Sequence, residues 1–422
     1  MSNILVVGDF NSVINHLDFN ENHYWLLTSE FKLGLLSSDK LALVYRYATI
    51  KTSSEYSSSC YEKNIDKIIE VVRNLIVRND DIDYVISTLE HSVVPAATIR
   101  SEFAVSGTKE NTAVLLRDKV LSKLALMSAN SIPVPKFLSH ESMSKDNVIS
   151  FIEEHGRCVV KPRSDAGSRG VGIVENIDDY YLAISGLDFN NIEIEQYISG
   201  DVYHFNGIVQ DGVIKFFAPY RYYNTPLDYT KGVSVMGNIS LVNASSIQKT
   251  KLFTHSVLDG LNYRNGVFHL EAICHNEEFY FLEIAGRSPG ARIVDVIKSQ
   301  YGVDLVHQAV LVESGFLINQ DDVAAEDSRD CYVSNMLIGP PSRDSLIVRG
   351  ISGVEYLGNL VNYSEFCNIG EIIDFPCWDA FKSFGYFEFD HSNETEAEEC
   401  IRLLSEKIRF NVELVDDHAG EW

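Results

Sequence analysis

The sequence predicts a mixed α/β and α+β protein of several units, and three observations predict it. At 422 residues the chain is too long for one ordinary core, which points to roughly two to four units. Over roughly the first 110 residues, short apolar runs alternate with helical periods, the pattern of an open parallel sheet. From about Ile192 to Ile284 the chain is strand-rich, with turn signals at Asp211-Gly212 and Asn276-Glu277, and mixed strands and helices follow.

Taken in order, Ile4–Val7 reads as a buried strand running into a tight turn at Gly8-Asp9, and Leu41–Tyr45 as another strand. Asn64–Val77 places Ile65, Ile68, Ile69, Val72, Leu75 and Ile76 at helical spacing. Asp83–Ser87 is then a strand and Val93–Phe103 a helix. Asp118–Asn130 is a helix ended by Ser131-Ile132-Pro133-Val134-Pro135, whose prolines force an extended segment. Val148–His155 is helical, Cys158–Pro162 a strand, and a glycine-rich loop runs to Gly172. After the strand-rich stretch, Asp295–Ser314 returns to helix. Tyr332–Ile338 and Tyr386–Asp390 are strands, and Glu394–Ile408 is a helix. No internal repeat is visible.

The formal charge of −25 argues against a nucleic-acid partner, since phosphates would be repelled over most of the surface. It leaves room for a nucleotide, which needs only a local cluster of cations and backbone N–H groups. The seven cysteines (Cys60, Cys158, Cys274, Cys331, Cys367, Cys377, Cys400) form no C-x-x-C pair. Their odd number and wide spacing fit reduced thiols in a cytoplasm. The N-terminus lacks a basic region followed by a long apolar stretch, and no run approaches the length of a membrane span. The expectation is a cytoplasmic chain with no membrane partner.

The strongest chemical element is Val159-Val160-Lys161-Pro162-Arg163-Ser164-Asp165-Ala166-Gly167-Ser168-Arg169-Gly170-Val171-Gly172. A strand delivers a lysine to a loop with three glycines. Glycine lets backbone N–H groups approach phosphate oxygens with no Cβ in the way, and Lys161 adds a point charge. The Gly-Lys-Ser/Thr ending of a Walker loop is absent, and a dinucleotide fingerprint is excluded because the lysine precedes the glycines. A glycine-rich hairpin without a ligand is the plain alternative.

Downstream, Val267–Cys274 and Phe279–Ala285 flank Asn276-Glu277-Glu278 and read as a hairpin. Centred on Glu277, it would set Glu271 opposite Glu283 on one face, about 5 Å apart. Two carboxylates so close repel unless a cation sits between them, and magnesium combines carboxylate with phosphate oxygens. A one-residue shift in the turn would put them on opposite faces.

This order of elements resembles the ATP-grasp superfamily: Val-Val-Lys-Pro, a glycine loop, Glu195-Gln196-Tyr197-Ile198, then two glutamates with an arginine after the second. Upstream, Arg117-Asp118-Lys119 followed by Ile132-Pro133-Val134-Pro135 is similar to the entrance of that fold, so the likeness runs from about Asp83 to His307. The resemblance implies an N-terminal Rossmann-like domain at 1–115, an ATP-grasp subdomain with the glycine loop at 116–198, a second with the metal site at 199–315, and a C-terminal α+β extension at 316–422. It implies ATP and magnesium (or manganese) as cofactors. Lys119 and Lys161 would contact the phosphates, and the loop from Ser164 through Gly167, Ser168, Gly170 and Val171 would cover them. Glu195 would accept from the adenine amino group, with Gln196, Tyr197 and Ile198 along the adenine edge. Glu271 and Glu283 would hold metal. Two positions depart from the family pattern. Val202 stands where a ribose-binding acid is common, leaving Asp201 or His204 to substitute, and Ala285 stands where many relatives have a metal-shell asparagine.

In the branch resembling L-amino acid ligases, the counterpart of Arg287 grips a carboxylate or acyl phosphate, for which a planar guanidinium is suited. Arg292 shares that role or pairs with an acid. His269 stands on the face of Glu271, either beside the metal or as a satisfied core histidine. Glu90-His91 follows a strand of the first sheet, where ligands often bind. Tyr220–Tyr223 and Tyr229 are candidates for an acceptor pocket or for packing. The resemblance implies an ADP-forming carboxylate–amine ligase that makes an acyl phosphate and then an amide or dipeptide from small-molecule substrates, with Lys161 and Arg287 as the catalytic side chains. A homodimer stays open. The alternatives are acyl transfer to a carrier-protein thiol, a carboxylating or purine-pathway enzyme of the same fold, and a non-catalytic nucleotide-binding regulator.

Overall fold

The computed structural model describes residues 1–51, 61–76, 80–129, 132–319, 323, 331–340, 345–358, 360–373 and 383–415. Cys60, Val77, Asn130, Ser131 and Cys377 lie outside the described residues. The first unit is a four-stranded parallel sheet in the order Arg46–Ile50, Asn22–Ser29, Ser2–Val7, Tyr84–Ser87. Ile4, Leu5, Val6 and Val7 are all buried, as parallel strands covered on both faces require. The carboxyl ends of these strands, at Gly8, Ser29 and Ser87–Glu90, form one rim.

A second, antiparallel sheet holds Phe137–Ser139, Ile192–Gln196, Cys158–Pro162 and Gly172–Val174. A third runs eight strands wide: Glu278–Ala285, Gly266–His275, Asp201–Gln210, Val213–Tyr222, Val235–Ser240, Tyr332–Ile338, Gly385–His391 and Tyr363–Phe366. The last three come from the C-terminal hundred residues, so that extension lengthens the sheet carrying the two glutamates. A three-stranded sheet of Ile372–Ile373, Leu346–Ser352 and Arg409–Leu414 completes the strands. The helix Leu305–Glu313 returns to the first sheet, where Val310 packs with Ile4, Val6 and Ile86.

Several elements differ from the sequence expectation, among them the strand Asn22–Ser29 of the first sheet, which that expectation lacks. The strand expected at Leu41–Tyr45 lies at Arg46–Ile50, because Ser37 accepts from the Lys40 amide and caps a short helix Ser38–Leu41 first. Within the strand-rich stretch stands a 17-residue helix, Ala244–Gly260, capped by Asn243. Two of its core positions are Thr250 and Thr254, which dilute the apolar period. The helix expected at Asp295–Ser314 is two, Ile293–Tyr301 and Leu305–Glu313, broken where Gly302 turns left-handed (φ 71°) and Asp304 caps the second. The remaining elements match within a few residues, Cys158–Pro162 and Tyr332–Ile338 end to end. The five described cysteines are free thiols.

Candidate active site

The hairpin of the two glutamates forms by a route that spacing alone does not show. Its turn is Asn276-Glu277, both residues left-handed (φ 48° and 64°), a two-residue hairpin turn. The centre therefore lies between Asn276 and Glu277, half a residue before the expected one. Pairing runs His275 with Glu278 up to Ala272 with Phe281. Continued, it would set Glu271 opposite Leu282. Instead a bulge takes up Leu282, and Glu271 pairs with Glu283. Two displacements cancel, and the carboxylates share a face.

That face is polar. Glu271 accepts from Tyr222 Oη at 2.7 Å and lies 3.4 Å from His269 Nε2. Burial pushes its carboxyl up, but His269 and Tyr222 outweigh it and hold it below the ordinary range. Asn206 donates to the Ala218 carbonyl at 3.2 Å, which orients its amide, and its Oδ1 meets His269 Nδ1 at 2.8 Å. His204, expected near the ribose, is fully buried on this face. It pairs across strands with Glu271 and lies against Tyr220 and Tyr222, with ring centres 5.4 and 4.4 Å away. Strand alternation puts it with Glu271, away from the adenine segment.

Lys119 reaches over to this hairpin. Its ammonium donates to the Asp165 carbonyl at 2.8 Å and pairs with Glu283 Oε2 at 2.9 Å. Neighbouring Asp118 takes Arg163 in a two-nitrogen grip of 2.8–3.2 Å, which ties the start of this helix to the glycine loop. The hard oxygens of Glu271 and Glu283 suit magnesium or manganese. Among the described residues no group of three or more His, Cys, Asp and Glu forms a cage, so a divalent ion here would need substrate or water oxygens as well.

Behind the loop lies a cluster of four charges. Lys161 Nζ is 2.6 Å from Glu195 Oε1. Lys123 Nζ is 2.6 Å from Glu193 Oε2 and 2.7 Å from Glu195 Oε2. Burial pushes the Glu195 carboxyl up, but the two ammonium groups prevail and hold it at about 2; the carboxylates in turn hold Lys161 above its usual range. Both Glu195 oxygens thus carry a lysine, where the sequence expectation gave one to adenine. Lys123 and Glu193 were not singled out. Their signal was Ile192-Glu193-Ile194-Glu195, two acids on one face of a strand otherwise apolar, and Lys123 one helical turn after Lys119.

In the loop, Gly167 and Gly170 are left-handed (φ 66° and 68°), as is Ser168 (φ 55°), and the Val171 amide closes a turn on the Ser168 carbonyl. A Cβ on Gly170 would stand 3.0 Å from Pro162 Cγ, so this glycine is a packing requirement; Gly167 has open space. Ser164 bonds Asn191 Oδ1 at 2.9 Å, outside the turn. In the adenine segment, the Gln196 and Tyr197 amides are held by the Lys136 and Arg157 carbonyls. The Arg157 guanidinium covers the Tyr197 ring at 4.6 Å, and Ile198 is half-buried beside it.

A cavity of about 650 Å³ joins the loop tip to the hairpin, and neither Lys161 and its cluster partners nor Gln196, Tyr197 and Ile198 line it. Its wall includes the loop tip Asp165–Arg169, Lys119, Glu271, Glu283, Arg287 and the rim of the parallel sheet from Ile86 to His91. Arg287 donates to Glu90 Oε2, and Arg117 Nη1 lies 3.4 Å from Glu90 Oε1. Burial pushes the Glu90 carboxyl up; these guanidiniums bring it down to about 2. Burial keeps His91, stacked on Tyr61, neutral down to about 4. Of the tyrosines offered for this pocket, Tyr222 lines it, while Tyr220 is fully buried. Arg292 pairs with Asp295 and Glu365 over the Tyr386 ring, so its guanidinium is engaged away from Arg287.

Residues 116–291 match the family model of the ATP-grasp domain. An L-arginine-specific L-amino acid ligase of Bacillus subtilis is 25% identical over 360 residues, 81% of this chain and 83% of that one. A D-alanine–D-alanine ligase of Petrotoga mobilis is 25% identical over 134 residues, 30% of this chain and 45% of that protein. Among solved structures, an L-amino acid ligase from Bacillus licheniformis superposes with a TM-score of 0.71 at 16% identity, covering 97% and 98% of the two chains. An N5-carboxyaminoimidazole synthetase from Staphylococcus aureus complexed with ADP superposes at 0.62 with 13% identity, covering 95% and 96%. These likenesses show the fold. Among the described residues no helix is long and apolar enough to cross a membrane.

Proposed function

We propose that this chain, which belongs to the ATP-grasp ligases, joins the carboxylate of an amino acid to an amine, forming an amide or dipeptide and releasing ADP and phosphate. The observation that carries this reading is the single cavity in which the loop tip, Lys119, both hairpin glutamates and the Arg287–Glu90 pair meet. The similarity to amino acid ligases over most of the chain supports it.

The chemistry follows from that placement. ATP lies between the two antiparallel sheets, its phosphates under the glycine loop and against Lys119, with Lys161 held by Glu195 behind the loop. A substrate carboxylate oxygen attacks the γ-phosphorus, the bond to ADP breaks, and an acyl phosphate forms. Glu271 and Glu283 hold the divalent ion, which supplies neutralisation of phosphate charge when bound. Arg287 steadies the carboxylate and then the acyl phosphate. An amine nitrogen attacks the acyl carbon, phosphate leaves, and the nitrogen gives up its proton. Glu90, ionised beside Arg287, offers an acceptor for the ammonium of an amino-acid donor. The loop tip closes the cavity and keeps water from the acyl phosphate. We assign the units as 1–115, 116–198, 199–315 and 316–422, and the reaction to the cytoplasm, where ATP and free amino acids are at hand.

The test is a screen of amino-acid pairs read by phosphate release, repeated with ¹⁸O in the carboxylate of each active donor. Transfer of one labelled oxygen into the released phosphate is expected. Product formation with unlabelled phosphate rules out the acyl phosphate, and AMP release would replace it with an adenylate route.

A further inference from the structure

We infer that Arg292 is a positioning residue for Arg287, and that strands of the C-terminal stretch 316–422 hold it in that task. This rests on the amino acid ligase reading and adds a part to it. The match to the ATP-grasp family model stops at residue 291, so both Arg292 and that stretch lie outside it. Between the hairpin strand Glu278–Ala285 and the helix Ile293–Tyr301 runs a loop of seven residues, Gly286-Arg287-Ser288-Pro289-Gly290-Ala291-Arg292. Its last two residues are both left-handed, Ala291 at φ 52° and Arg292 at φ 62°. A side chain with a Cβ strains that backbone, and such a conformation persists only where the surroundings hold it. It is built into the helix start, where the Ile293 amide donates to the Gly290 carbonyl at 3.0 Å.

The holding groups come from the C-terminal strands. The Arg292 guanidinium lies over the Tyr386 ring, 4.1 Å from its centre, and its Nη2 is 3.1 Å from Glu365 Oε2. Its Nε pairs with Asp295 of its own helix. Asn335 Nδ2 donates to the Arg292 carbonyl at 3.4 Å, and Ala291 packs on the cluster of Met236, Leu337 and Tyr386. Asn335 and Tyr386 are themselves buried, and Glu388 accepts the Tyr386 hydroxyl, so the bed is fixed. An exposed ion pair alone would hold little. A planar guanidinium stacked on a buried ring and forked between two carboxylates is held in one orientation. At the other end of the loop Arg287 meets Glu90 from the first sheet, and Gly290 and Ala291 line the cavity between. Release of Arg292 lets the loop leave its strained form and carries Arg287 away from the hairpin glutamates. A displacement of about 1 Å at a group that grips the substrate is worth roughly a hundredfold in rate.

Two measurements on the full chain test this. Arg292→Gly removes the guanidinium while easing the left-handed backbone, so any loss comes from the side chain. Amide hydrogen exchange over 286–292 should quicken by roughly tenfold in Arg292→Gly, and also in Glu365→Gln, a change at a half-exposed surface position. Unchanged exchange in both folded variants overturns the inference, and this readout needs no substrate. The second measurement is phosphate release, with the donor taken as whichever of the twenty standard amino acids, offered with itself as acceptor, releases most. Arg292→Gly should lower kcat/KM for that amino acid by roughly tenfold or more while the KM for ATP stays within about twofold, and Arg292→Lys should recover part of the loss. In an Arg287→Ala background, Arg292→Gly should cost less than about twofold more, because its effect runs through Arg287. Equal losses in the two backgrounds show an anchor of the fold alone and overturn the inference while leaving the ligase reading intact. No phosphate release by the unaltered protein with any amino acid overturns that reading, and with it the role assigned to Arg292.

Discussion

The two charged regions around the glycine loop are built on opposite plans. In the cluster behind the glycine loop, Lys123, Lys161, Glu193 and Glu195 satisfy one another, and Lys123 and Glu193 are completely buried. At the hairpin, Glu271 and Glu283 face each other with a single lysine, Lys119, on one of them and Tyr222 and His269 on the other. The first region is a closed set whose charges balance within the protein. The second is open to the cavity, which Glu283, a side chain one-third exposed, borders. The difference teaches which carboxylates hold the fold together and which are free to meet a ligand cation. Counting acids near the loop would not separate them; burial and partners do.

Three experiments sharpen that contrast. Glu283→Gln removes a charge at constant volume from the open region. Turnover should fall at least about a thousandfold, ~4 kcal/mol at the transition state, while the melting temperature stays close to that of the unaltered protein. Phosphate release and calorimetric melting measure both, and near-normal release by a folded protein would remove Glu283 from the metal site. Lys123→Met acts on the closed region and should do the reverse. It leaves Glu193 and Glu195 buried with one lysine between them, and the loss of stability should be about 3 kcal/mol. Urea unfolding decides, and an unchanged midpoint would mean that the cluster is not held by mutual charge balance.

The smallest effect is in acid. Glu195 is held at about 2, well below the ordinary carboxylate value of 4.5. A depressed folded value means that the unfolded chain binds protons first, so this stability is present above about pH 4.5 and is lost as pH falls toward 2. Glu90, also at about 2, contributes over the same window. Glu195→Gln should therefore flatten, not abolish, the fall in unfolding free energy between pH 5 and pH 3. An identical slope in both proteins would show that Glu195 is not ionised through its lysines.

The hairpin is the clearest case of what spacing reveals and what it hides. Glu271 and Glu283 were expected to face each other from a turn centred on Glu277. They do face each other, but from a turn centred half a residue earlier and through a bulge at Leu282. The turn signal at Asn276-Glu277 marks the true centre, whereas no glycine marks the bulge at Leu282, so local sequence does not announce it. Lys123 and Glu193 were passed over for a related reason: each looks like an ordinary charged residue until the helix and the strand are brought together. Ser37 and Asn243, by contrast, announce their helices in the sequence as N-caps.

By itself the sequence determined the parallel first sheet, the strand-lysine-glycine loop and the order of chemical elements, because periodicity, glycine and short spacings act through local backbone geometry. Only the tertiary structure decided which charges cancel and which stay available. Glu90 and Arg287 are 197 positions apart, and Lys119 meets Glu283 from a separate helix. Coulomb energy and desolvation depend on distance and burial in space, and those are settled only when the sheets close on one another.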